Sequence, residues 1–115
     1  MKKINLSITG CLGRMGQQII KSSRSFKDFK IVSVTESRII NKKVSGFRPK
    51  LNSDDAFKNA NIIIDFTAPR ATLQVLKIAS KLKKRVVIGT TGFSNKEEKL
   101  IKKYSRKIPI LKAGN

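Results

Sequence analysis

Three glycines at regular spacing, Gly10, Gly13 and Gly16, lie between an apolar alternating run (Ile4, Leu6, Ile8) and a helical pattern that starts at Met15 and continues through Ile19 and Ile20. Glycine lacks a Cβ and tolerates positive φ, so a turn built this way can lie against a pyrophosphate. The unpaired N–H groups at the start of the following helix then point at its negative charge. The spacing G-x-x-G-x-x-G is a variant of the dinucleotide fingerprint G-x-G-x-x-G. Gly13 is positioned to admit a phosphate and Gly16 to bring the helix close to the strand. Taken alone, the spacing also fits a glycine-rich turn with no ligand.

Two further stretches carry groups of the right kind. Glu36 follows a second apolar run, where a βαβ unit places a carboxylate beside an adenosine ribose to accept its hydroxyl hydrogens. Ser37 and Arg38 come next and could accommodate a 2′-phosphate, so NADH and NADPH both remain open. Gly89-Thr90-Thr91-Gly92 is a small-residue turn whose backbone and hydroxyl groups can reach a ligand. The one cysteine, Cys11, sits in the glycine turn. A catalytic thiol needs a base, and the chain has no histidine, so Cys11 reads as a small turn residue.

These groups need a frame, and the hydrophobic pattern supplies one. Phe29 to Thr35 reads as a strand after a polar loop around Ser25 to Lys27, and Ile39 to Ser53, broken by Gly46 and Pro49, reads as a loop. Asp54 to Asn59 reads as a short helix capped by Ser53. Asn61 to Asp65, with three consecutive isoleucines, reads as a strand buried on both faces. Pro69 opens a helix to about Leu82, with Leu73, Leu76, Ala79 and Leu82 on one face. Arg85 to Ile88 is a fourth strand. A helix capped by Ser94 or Asn95, with Leu100, Ile101 and Tyr104 on its apolar face, precedes a last strand from Ile108 to Lys112. Strands and helices alternate throughout, so the expected fold is α/β: a single-domain, Rossmann-like, doubly wound parallel sheet. The candidate ligand residues then converge where strands end: Gly10 to Gly16, Glu36, Phe66 and Thr67, Gly89 to Thr91, and Ala113 to Asn115.

Composition narrows the class. At 115 residues, with 39% hydrophobic and 29% charged side chains, the chain suits one globular domain but is short for an enzyme that needs separate cofactor and substrate halves. No apolar run approaches the roughly 20 residues of a membrane span, and the single cysteine agrees with a reducing compartment, so a cytoplasmic protein with no membrane partner is expected. The net charge of +19 invites nucleic acid, but the lysines are spread over every segment. With only 6% aromatic residues and no stacking cluster, nucleic acid is not the expected main partner.

The stretches GCLGRMGQQII, IIIDFTAPRATL, VVIGTTGFS and LKAGN, in this order, resemble the amino-terminal domain of the 4-hydroxy-tetrahydrodipicolinate reductases, also called dihydrodipicolinate reductases. The similarity covers the whole chain. It implies an NAD(P)H-dependent oxidoreductase of the diaminopimelate route to lysine, passing hydride from NADH or NADPH to a cyclic dicarboxylate. By motif position, Gly10, Cys11, Leu12, Gly13, Arg14 and Met15 would hold the pyrophosphate and Glu36 the ribose. Gly89, Thr90 and Thr91 would hold the nicotinamide half, with Ala113, Gly114 and Asn115 completing its pocket. Members using NADPH often have an arginine directly after the acidic residue, where this chain has Ser37 and then Arg38.

The resemblance further implies a second domain, absent from residues 1–115, with a His-His and Lys motif for substrate binding and proton donation and a sheet that assembles a homotetramer. No residue here offers general acid chemistry at neutral pH. The expectation is therefore the cofactor-binding half of a longer enzyme, inactive alone and marginally stable or aggregation-prone by itself. A stand-alone nucleotide-binding or basic nucleic-acid-binding module is the alternative.

Overall fold

A computed structural model describes residues 3–113. Six parallel strands form one sheet: β1 (Ile4–Thr9), β2 (Phe29–Glu36), β3 (Lys50–Leu51), β4 (Ile62–Asp65), β5 (Arg85–Ile88) and β6 (Ile110–Lys112), in the spatial order β3-β2-β1-β4-β5-β6. Among the described residues four helices connect them: α1 (Arg14–Ser23), α2 (Asp54–Phe57), α3 (Pro69–Leu82) and α4 (Asn95–Tyr104). The chain order reverses at β1, which lies between β2 and β4, and a ligand crevice forms at such a reversal.

The two faces of the sheet have different cores. On one, Leu6, Ile8 and Val34 pack with Ile20 of α1 and with Val44 from the loop after β2. On the other, α2, α3 and α4 deliver Phe57, Val75, Leu76, Ala79 and Ile101 onto Ile63, Val86 and Ile88. The alternation in β1 would suit a strand with one wet face, but both of its faces are buried. Ser7 and Thr9 are inaccessible to water, and the Ser7 hydroxyl stands 2.5 Å from that of Ser33, which donates to the Ala56 carbonyl at 2.6 Å. Burial of these hydroxyls is tolerated because each finds a partner.

Most expected elements form with shifted ends. The first helix starts at Arg14 rather than Met15, the short helix stops at Phe57, and Ser94 rather than Asn95 caps α4 through a capping box with Glu97. The expected loop from Ile39 to Ser53 contains β3, a two-residue edge pairing of Lys50 and Leu51 with Thr35 and Glu36. Ile108 belongs to the turn leaving α4, where its N–H donates to the Tyr104 carbonyl; the Pro109 carbonyl accepts the Val86 N–H at 3.1 Å and the last strand runs over Ile110–Lys112. Leu100 does not share the buried face of Ile101; it is 37% exposed.

Candidate functional site

The groups singled out in the sequence meet along the carboxyl edge of the sheet. After Thr9 the chain turns through Gly10 at φ +72°, where a Cβ would stand 2.1 Å from the Phe66 carbonyl oxygen. The N–H groups of Gly10 and Cys11 both donate to the Thr35 carbonyl, at 3.0 and 3.2 Å, fastening the turn to β2. At Gly16 a Cβ would stand 2.3 Å from the Gly10 carbonyl oxygen, so α1 sits directly on the turn. Internal packing therefore accounts for two of the three glycines.

Gly13 is different. Its φ of −72° is open to any residue, and a Cβ would meet only the Gly10 oxygen at 3.4 Å. Gly13 is also the N-cap of α1, without a side-chain cap and with no acidic residue in the first turn. The open N–H groups and positive end of the helix are therefore left for something outside the chain. The bare space above Gly13 is what a closely approaching phosphate requires.

Glu36 closes the same turn from β2: its Oε2 accepts the Leu12 N–H at 2.8 Å. Its Oε1 takes no hydrogen bond among the described residues and is free for a ribose hydroxyl. Beyond it, Arg38 and Lys42 line an open cleft of about 330 Å³ with Leu12, Ile39, Ile40 and Asn41. A neighbouring cleft of about 490 Å³ runs from Ser37 to Ala68, Arg70, Ala71 and Gln74 at the start of α3. Cys11 belongs to the turn by its backbone, and its side chain lies beneath it. Its thiol is wholly buried, and burial, reinforced by the charge of Glu36, pushes its pKa up to about 11. Such a thiol is a packing group, and its position can offer a ligand only backbone.

Gly13, Arg14, Met15, Phe66, Thr67, Gly89, Thr90 and Thr91 line one further cleft of about 330 Å³. The glycine turn and the turn after β5 thus share one cavity. Gly89 leaves room for the Phe66 ring, which a Cβ would approach to 1.9 Å. Ala113 lies beside the same strand end, its N–H donating to the Ile88 carbonyl at 2.7 Å. Gly114 and Asn115 lie outside the described residues.

Three residues beneath this cavity were not among the expected ligands. Asp65, at the end of β4, is fully buried and accepts hydrogen bonds from four threonine hydroxyls: Thr9 (2.5 Å), Thr67 (2.9 Å), Thr72 (2.5 Å) and Thr90 (3.0 Å). Thr9 and Thr72 share this burial. The available signal was a carboxylate ending a run of isoleucines, with threonine at three other places where the frame converges.

A parallel, doubly wound sheet in this order, with a glycine turn after its first strand and a carboxylate after its second, defines the dinucleotide-binding class of α/β fold. Within that class the chain belongs to the family described as dihydrodipicolinate reductase, N-terminus, whose model matches residues 4–115. A 4-hydroxy-tetrahydrodipicolinate reductase of Pelagibacter ubique (strain HTCC1062) is 64% identical over 115 residues, all of this chain and 45% of the relative. One from Buchnera aphidicola subsp. Acyrthosiphon pisum (strain Tuc7) is 40% identical, over 99% of this chain and 46% of its own length. The chain thus spans about half the length of the curated relatives it matches. Among solved structures, the dipicolinate-bound dihydrodipicolinate reductase from Paenisporosarcina sp. TG-14 superposes with a TM-score of 0.78 at 21% identity, covering 98% of this chain and 48% of that one; this likeness bears on the fold. No helix among the described residues is long and apolar enough to cross a membrane.

Proposed function

We propose that this chain is the cofactor-binding half of a 4-hydroxy-tetrahydrodipicolinate reductase and binds NADH or NADPH across the carboxyl edge of its sheet. The observation that carries this reading is Gly13, whose missing Cβ no internal contact demands, at the uncapped start of α1. Gly10 to Met15 hold the pyrophosphate through backbone N–H groups and the helix end, with the Cys11 side chain turned into the core. Glu36, already braced by Leu12, receives the ribose on its free oxygen. Arg38 and Lys42 stand where a 2′-phosphate would add charge, which supports use of NADPH as well as NADH. Gly89 to Thr91, with Ala113, Gly114 and Asn115, hold the nicotinamide half.

The bound cofactor supplies a hydride. The part played by this chain is to orient it and shield one side of it, since residues 1–115 contain no histidine to deliver the accompanying proton. The relatives' additional length leaves room for a separate part, and we infer from the family resemblance that this part binds the cyclic dicarboxylate, donates the proton and assembles a homotetramer in the cytoplasm. Calorimetric titration of the 115-residue chain with NADH and then NADPH tests the reading. Saturable binding is expected, lost on Gly13→Val in a protein that keeps its fold. Failure of the folded chain to bind either cofactor would overturn it.

A further inference from the structure

Beneath the nicotinamide end of the proposed cofactor site, one buried carboxylate receives four hydroxyls from four different parts of the frame: the end of β1 (Thr9), the turn after β4 (Thr67), the first turns of α3 (Thr72) and the turn after β5 (Thr90). A carboxylate only accepts hydrogen bonds and offers about four lone-pair sites, so Asp65 is fully used. The network continues outward. The Thr90 Oγ1 that donates to Asp65 also accepts the Thr67 N–H at 2.9 Å, and the Asp65 carbonyl oxygen accepts the Gly89 N–H at 2.8 Å. Both turns that line the cavity, Phe66-Thr67 and Gly89-Thr90, are thereby fastened to one residue that does not touch it.

We propose that Asp65 is a positioning residue for the nicotinamide half of the cofactor: it fixes the two turns, and directs the hydroxyl protons of Thr67 and Thr90 inward, before any ligand arrives. The proposal rests on the cofactor reading above. Packing alone explains such a residue poorly, since an apolar side chain could fill the same space without burying a carboxylate and the hydroxyls of Thr9, Thr72 and Thr90. What the polar network adds is a fixed direction for the Thr67 and Thr90 hydroxyls at the cavity wall. The pyrophosphate and adenosine subsites are held by other contacts, through Thr35 and Glu36. A change at Asp65 is therefore felt more by the nicotinamide half of the ligand than by the ADP half.

The test compares NADH with ADP, which lacks the nicotinamide riboside, on the 115-residue chain. In Asp65→Asn an amide replaces one acceptor oxygen, and in Thr72→Val a hydroxyl that never reaches the cavity is lost. Each is expected to weaken NADH about tenfold while ADP affinity stays within about twofold, and Thr72→Ser, which keeps the hydroxyl, is expected to restore NADH binding. If Asp65→Asn does not fold, the Thr72 pair carries the test. Unchanged NADH binding in the folded variants would overturn the proposal. So would equal losses of NADH and ADP, or wild-type protein holding NADH no better than ADP. Failure of the wild type to bind either ligand overturns the cofactor reading itself.

Discussion

The carboxylate of Glu36 accepts the backbone N–H of Leu12 at 2.8 Å, joining the end of β2 to the middle of the glycine turn. One oxygen holds the turn and the other takes no hydrogen bond among the described residues, so a single side chain braces the glycine turn and keeps an acceptor unused beside it. Glu36→Gln keeps a carbonyl able to accept from Leu12 but lacks the charge. It should fold normally and bind NADH less tightly. Glu36→Ala leaves the Leu12 N–H without its partner and should cost about 1–2 kcal/mol of stability, read from urea unfolding, besides the loss of binding.

Gly13 and Gly16 are three residues apart and should respond oppositely. A methyl at residue 16 must displace backbone, because it would lie 2.3 Å from the Gly10 oxygen and 3.0 Å from the Cys11 Cα. Gly16→Ala should therefore destabilise the chain by about 1–3 kcal/mol. A methyl at residue 13 meets one oxygen at 3.4 Å, so Gly13→Ala should stay within about 1 kcal/mol of wild type while NADH affinity falls. Thermal melts and titrations of the two variants separate the roles. Equal destabilisation would show that Gly13 is also needed for packing.

The sequence made the glycine turn legible because strand, turn and helix are local, and each leaves its own period or residue type. Glu36 was legible as a position, though not its bond to Leu12, which depends on a register between strands separated by a whole helix. Asp65 was harder to read. A carboxylate ending the run Ile62-Ile63-Ile64 reads only as the end of a buried strand, and its threonine partners lie up to 56 residues from it in sequence. β3 was hidden for a different reason. Two exposed residues after Pro49 have no pattern of their own, and only the neighbouring edge of β2 makes them a strand.

On the α1 face, part of the sheet is left uncovered. Leu6, Ile19, Phe26, Phe29, Ile62, Ile64 and Val87 line an apolar groove of about 300 Å³, and Phe26 is 57% exposed at its rim. Exposed apolar surface of this kind promotes association. The 115-residue chain should bind an apolar fluorescent dye and self-associate as its concentration rises, and Phe26→Lys should reduce both. Dye binding unaffected by that substitution would place the sticky surface elsewhere, with Leu111, 63% exposed on the edge strand β6, the next residue to change.

Cys11 gives the chain a pH dependence whose sign can be worked out. Its thiol ionises at about 11 in the folded chain, against an ordinary value of 9.0, first because it is buried and second because Glu36 stands near. Between those values the unfolded chain has lost the proton and the folded chain has kept it. The unfolded state therefore binds fewer protons, and stability falls as pH rises. The contribution of the buried thiol is fully present below pH 9.0 and is lost as the pH passes through about 11. The readout is the difference between wild type and Cys11→Ser, whose hydroxyl does not ionise in this range. Urea midpoints measured from about pH 8 to 11 should fall more steeply for wild type than for the serine variant. Burial and the raised pKa together should make the native thiol much slower than the unfolded one towards a disulfide reagent at pH 8. Because Glu36 is the second cause, Glu36→Gln should bring the native thiol's ionisation part of the way back. An unchanged value in that variant would leave burial as the only source of the shift.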